Sequence, residues 1–401
     1  MLPVQTSRPE AELLLCCART VSSPDTDARI GVLIREGIDW GYLLRTARRH
    51  GVASLLYRHL EAACPQAVPE DVFDTLRDHF RANSVRNLSL TGELLRLLDA
   101  FGARGIHAVP YKGPALAVSA YGNLALREFI DLDILVHRQD VARAREELVS
   151  MGYQARYRLS RAQEEAFLRS KYEHPFTRKD GKVVVELHWE LAERHFLPFD
   201  NERLWGRLEP VGLGGRDVPT FSPEDTLLIL CVHGAQHAWE RLGWVCDVAE
   251  LIRVHQESMG WEDVMAQAGA LGGEHMLHLG LCLASDLLGV ALPERVAQRV
   301  RADSTAKELA ERTREQLFLD SDPPDGFLEG HEGAPAFHTL HLTVKESLRE
   351  KVGYFIRKAT ILSGEDRSMR PLPGFLFPLY YVLRPIRLTR KYVPRLLKRI
   401  F

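Results

Sequence analysis

The decapeptide REFIDLDILV, Arg127 to Val136, sets two carboxylates inside an otherwise apolar run. An ionised carboxylate among aliphatic side chains is costly unless a charge or hydrogen bonds compensate it. A short run this rich in Ile, Leu and Val favours a strand, in which residues i and i+2 share a face. Asp131 and Asp133 therefore project together, with Ile130, Leu132, Ile134 and Val136 expected on the opposite face. Two parallel acids repel each other unless a cation sits between them. Hard oxygen donors at this spacing suit Mg²⁺, which keeps several waters and bridges carboxylates to phosphates. The competing reading is an edge strand with one solvated face.

Three nearby stretches bear on that choice. In YKGPALA, a strand runs into Lys112, Gly113 and Pro114 and then a helix, with Pro114 suited to the first helical turn. Free backbone N–H groups at such a turn receive a phosphate, and Lys112 adds a point charge. In KVVVELHW, Glu186 shares a face with Val184 and His188, and supplies a third carboxylate if this strand pairs beside the first. Arg127, four residues before Asp131, is a candidate phosphate contact.

A chain of 401 residues exceeds what one hydrophobic core usually serves. The periodicity divides it into a helical region at 1–104, an α+β region at 105–215, a second helical region at 216–330 and a C-terminal extension at 331–401. In the first, apolar residues recur at three-to-four spacing and stop at Gly102 and Gly105. In the second, two strand-like runs flank Asp180-Gly181, a hairpin signal, and RQDVARAREELVSMGY is an amphipathic helix. In the third, Ser222-Pro223 with Asp225 reads as a helix N-cap. DSDPPDGFLEGHEGAPAF reads as a linker.

The net charge of −2 argues against a duplex-DNA binder. Six scattered cysteines without a C-x-x-C pair read as reduced, buried thiols. With no signal peptide and no apolar run of spanning length, a cytoplasmic protein is expected. The tail LRPIRLTRKYVPRLLKRIF carries seven basic residues and no acid, so it suits an anionic membrane surface, an acidic partner or the protein's own surface.

The ordered set of turn, paired-acid strand and third-acid strand resembles the nucleotidyltransferase superfamily with a polymerase-β-type palm. YKGPALAVSAYGNLALREFIDLDILVHRQDVARAREELVSMGY is similar to the bacterial family of uncharacterised nucleotidyltransferases. So are DWGYLLRTARRHGVASLLYRHL upstream, VVVELHWEL and LCVHGAQHAWERLGWVCDVAELI downstream, and LPGFLFPLYYVLRPIRLTRKY near the end. The resemblance implies an α+β palm, a mixed sheet with helices on one side, flanked by helical regions. It implies that Asp131, Asp133 and Glu186 bind two Mg²⁺ ions, with Mn²⁺ as the alternative, and that Glu186 helps activate the acceptor. It implies transfer of a nucleoside monophosphate from an NTP such as ATP to an acceptor, a small molecule, sugar, peptide or protein, with release of pyrophosphate. Lys112, Gly113 and Arg127 would hold phosphates. Pro114 removes an N–H that the family's usual Gly-Ser or Gly-Gly turn offers, and Lys112 would compensate. That departure motivates two alternatives: a non-catalytic nucleotide-binding scaffold, or a phosphotransferase using the same metal site.

His233 and His237 stand at i, i+4 on an expected helix and share one side. Gly234 follows His233 where a zinc protease needs Glu, so the pair reads as packing or as lining for a nucleotide pocket. His188 is a further pocket candidate beside Glu186. His174 heads a strand and either faces the acids or, the favoured reading, is a solvated or hydrogen-bonded histidine. Asp247 reads as a cap or salt-bridge partner rather than a metal ligand.

Overall fold

The computed structural model describes residues 8–157, 167–169, 171–192 and 196–319. The expected linker, the C-terminal extension and its basic tail lie outside the described residues. Five helices come first: α1 (Pro9–Cys17), α2 (Pro24–Glu36), α3 (Trp40–His50), α4 (Ala53–Ala63) and α5 (Glu70–Ala103). Local chemistry sets several of their ends. The Asp39 carboxylate accepts from the Tyr42 N–H at 2.9 Å to cap α3, and Gly51 closes that helix in the left-handed region at φ 66. The 34-residue α5 ends in the glycine-marked stretch, with Gly105 at φ 64.

The sheet follows: β1 (Ala108–Pro110), α6 (Gly113–Ser119), β2 (Asp131–Val136), α7 (Val141–Ser150), β3 (Tyr153–Ala155), β4 (Glu173–Arg178) and β5 (Val184–His188). Its order is β1-β2-β5-β4-β3. Only β2 and β5 run parallel, which makes the sheet mixed. The hairpin between β4 and β5 turns at Asp180-Gly181, with Gly181 at φ 73 and the Asp180 side chain accepting from Lys182 N–H at 3.0 Å. A short helix, α8 (Asn201–Trp205), precedes a second hairpin, β6 (Leu208–Leu213) with β7 (Arg216–Phe221). Thr220 fastens this hairpin to β1 by donating to the Pro110 carbonyl at 2.7 Å. Strand pairing therefore crosses residue 215, where sequence periodicity places a boundary.

Six helices complete the described chain: α9 (Pro223–Gln236), α10 (Leu242–His255), α11 (Trp261–Leu271), α12 (Glu274–Leu288), α13 (Glu294–Ala302) and α14 (Ser304–Leu317). Ser222 caps α9, accepting from the Asp225 N–H at 3.3 Å. All six cysteines are free thiols, and five are buried. No helix among the described residues is long and apolar enough to cross a membrane.

Two apolar cores flank the sheet. Leu132, Ile134 and Val136 of β2, with Phe176, Val185 and Leu187, pack against α5 and α7. Ile130 does not join them: it precedes the strand, has no ladder partner and is 49% exposed. The opposite face meets the other core through Val109 and Leu135. That core unites the first helices, through Leu13, Leu43 and Leu56, with the last, through Leu228, Val248 and Leu283. The two helical regions, separate in sequence, thus share one core.

A bend after α9 depends on Gly234. Ala238 and Trp239 both take φ 52, and the buried indole of Trp239 folds back onto the helix. A Cβ on Gly234 would lie 2.5 Å from that ring. Gly234→Ala gains helix propensity but forces the indole out of place. The expected net loss is about 1–3 kcal/mol, read as a lower urea midpoint.

Candidate active site

Parallel pairing of β2 with β5 sets Asp133 opposite Glu186 and Leu135 opposite His188. The carboxylates of Asp131 and Asp133, two residues apart, share the face that also carries Glu186 and His188. Asp133 is 4% exposed, and its compensation is visible. Lys112 donates to its Oδ1 at 3.1 Å, and His188 Nε2 lies 3.2 Å from the same oxygen. Burial works against the Asp133 charge, but the Lys112 ammonium and His188 outweigh it and hold the group well below the usual carboxylate range. Asp131 has no such partner among the described residues. Burial and repulsion from Asp133 and Glu186 push it up to about 7.

The Lys112 turn comes against the start of β2. Gly113 has φ 48, and a Cβ there would stand 3.4 Å from the Asp131 carbonyl oxygen. This is a position that glycine alone fills without strain. Pro114 sits in the first turn of α6, as its sequence position predicts. Lys112 Nζ also reaches His233 Nδ1 at 3.4 Å. His233 and His237 have ring centroids 4.6 Å apart, and Trp244 lies 5.4 and 5.3 Å from them. His237 stands just past the end of α9, and burial with the Lys112 charge lowers it to about 4. Both histidines are therefore brought to the acid face, on the side of Lys112.

Arg127 approaches the same place but is already engaged. Its Nε and Nη2 donate to Asp247 at 2.8 and 2.9 Å, and Tyr121 donates to Asp247 at 2.7 Å. Asp247 is a salt-bridge partner, as expected. Arg127 Nη1 is buried without a hydrogen-bond partner among the described residues. Two buried asparagines of α5 hold the backbone there: Asn87 donates to the Arg127 carbonyl at 2.8 Å and Asn83 to the Ala125 carbonyl at 2.9 Å.

His174 does not face the acids. It pairs with Leu187, so it points into the α5–α7 core, where its ring lies 4.8 Å from those of Phe167 and Phe176. The residue that reaches the acids is its neighbour Glu173, opposite His188, with Oε2 3.5 Å from His188 Nδ1. The signal for it is present in the sequence. A hairpin folded about Asp180-Gly181 pairs residues equidistant from that dipeptide, and Glu173 and His188 are such a pair. Burial and the charge of Glu186 push Glu173 up to about 8. His188 is raised to about 9: burial opposes its charge, but hydrogen bonds to Asp133 and Glu186 prevail.

The donor set fits a divalent cation. One ligand atom each from Asp133, Glu186 and His188 lies within 4.8 Å of the others. Two carboxylates and an imidazole are a common set for such ions.

With this geometry in view, residues 36–289 match the family described as uncharacterised nucleotidyltransferase. The chain belongs to that family. This nucleotidyltransferase-family protein is also similar to a solved structure, an antigenic nucleotidyltransferase-like protein from Paracoccidioides brasiliensis. The identity is 16% and the TM-score 0.30, over 54% of this chain and 98% of that one. No curated protein matches.

Two outcomes follow for this family member. Arg127→Ala leaves Asp247 buried and unpaired, so stability should fall by about 3–5 kcal/mol, and the Arg127→Ala/Asp247→Ala double variant should lose less than the sum. The second concerns pH. Glu173 is raised from its ordinary 4.5 to about 8, so the folded state binds the extra proton and stability falls as pH rises between those values. Thermal melts of the metal-free protein should show that decline, flattened in Glu173→Gln.

Proposed function

We propose that the protein is a divalent-metal-dependent nucleotidyltransferase, moving a nucleoside monophosphate from an NTP to a hydroxyl-bearing acceptor. The observation that carries this reading is the register that sets Asp133 beside Glu186, with Asp131 on the same face. Asp131, Asp133 and Glu186 would hold two Mg²⁺ or Mn²⁺ ions, and His188 lies within reach of the same centre. When bound, such ions neutralise the triphosphate and stabilise in-line attack.

The chain's own residues do the rest. The Lys112 ammonium, the backbone N–H of Gly113 and the spare Nη1 of Arg127 bind phosphate oxygens. Asp247 and Tyr121 keep Arg127 pointed at them. His233, His237 and Trp244 line the pocket on the Lys112 side, where flat rings suit a base or sugar. The acceptor oxygen bonds to the α-phosphorus, the bond from that phosphorus to the β-phosphate oxygen breaks, and pyrophosphate leaves. Glu186 takes the acceptor proton.

A second reading rests on the Lys112–Asp133 ion pair at 3.1 Å, which compensates the acid without a metal. A scaffold that binds nucleotide but does not turn it over would keep that pair. Calorimetry with each NTP, with and without Mg²⁺, separates the two. Wild type should bind one NTP only with metal. The Asp131→Asn/Asp133→Asn variant should lose that binding, and Asp133→Asn should lose at least about a hundredfold in nucleotidyl transfer. Metal-independent binding that survives both substitutions would favour the scaffold.

A further inference from the structure

We propose that His188 is a direct metal ligand through Nε2 and that Glu173 is its positioning residue, giving a centre that prefers Mn²⁺ to Mg²⁺. The inference rests on the metal-dependent reading above and adds the identity of one ligand and the class of ion.

The argument begins with the sheet. His188 is 2% exposed, and its two ring nitrogens face different acids. Nε2 lies 3.2 Å from Asp133 Oδ1 and 3.6 Å from Glu186 Oε2. Nδ1 lies 3.5 Å from Glu173 Oε2 and makes no hydrogen bond among the described residues. With a carboxylate behind Nδ1, a cation that displaces the Nε2 proton leaves the remaining proton on Nδ1 and the Nε2 lone pair pointing forward. In this chain the forward side is where Asp133 and Glu186 converge. The T-shaped contact with Tyr111, ring centroids 5.3 Å apart, holds the imidazole plane.

Asp131 lies outside this converging set. An imidazole in place of one carboxylate changes the ion that fits. Mg²⁺ favours oxygen donors and gains little from nitrogen, whereas first-row transition ions gain from imidazole. Of these, Mn²⁺ also accepts two carboxylates readily.

The test uses the full chain loaded with Mn²⁺ and no nucleotide. Pulsed electron paramagnetic resonance on protein with ¹⁵N-labelled histidine should show a nitrogen bound directly to manganese. Titration calorimetry should give tighter binding of Mn²⁺ than Mg²⁺ by at least about tenfold, and His188→Gln should collapse that ratio and remove the coupling. Glu173→Ala should weaken Mn²⁺ by about 10–100-fold, with Glu173→Gln recovering part of the loss because its carbonyl can accept from Nδ1–H when the metal holds Nε2. Circular dichroism checks that each variant is folded, and the wild-type nitrogen coupling needs no variant. Absence of that coupling, or an equal Mn²⁺ to Mg²⁺ ratio in wild type and His188→Gln, overturns the proposal. If Mg²⁺-dependent NTP binding persists in that case, the nucleotidyltransferase reading stands alone. If no divalent ion binds at all, both fall.

Discussion

Like charges crowd one face of the sheet, and the surrounding structure answers that crowding. Asp131, Asp133, Glu186 and Glu173 occupy neighbouring positions on β2, β5 and β4. Among the described residues, Lys112 and His188 pair with Asp133. Burial and the remaining negative charge raise Asp131 and Glu173. An arrangement that disfavours its own ionisation is poor as scaffolding and well suited to a cation or a charged ligand. The apolar face of β2 holds the strand down while this happens, because Leu132, Ile134 and Val136 are locked against α5 and α7.

Positioning comes from distant parts of the chain. Asn83 and Asn87 on the long α5 grip the loop that leads into β2. Arg127, at the mouth of that strand, is clasped by Asp247 from α10, and Lys112 meets His233 from α9. The acid face is therefore built by the sheet and walled by helices that share the other core. A ligand bound between them would bridge the sheet and that helical core.

What could be read in advance was local. The paired acids, the Asp180-Gly181 hairpin, the Ser222 cap and the Pro114 turn each depend on a few adjacent residues, and each stands where the sequence puts it. His174 and Glu173 show the limit. A strand side chain changes face at every residue, so a shift of one position exchanges a core histidine for an acid of the candidate site. Hairpin symmetry resolves that case. The clasp of Arg127 by Asp247, across 120 residues, has no local signature, because a buried ion pair depends on which helix packs where. Ile130 had the right periodicity but lay one residue beyond the ladder.

The long reach of that clasp bears on the order in which the protein matures. During synthesis the sheet emerges well before α10, and helical segments on both sides of it must join to complete one core. Contacts so distant in sequence form late. Until Asp247 arrives, Arg127 has no counter-charge and β2 lacks its outer brace. The residues nearest the candidate chemistry are thus among the last to be secured, and a chain released short of residue 247 would carry the acids without the frame that aims them.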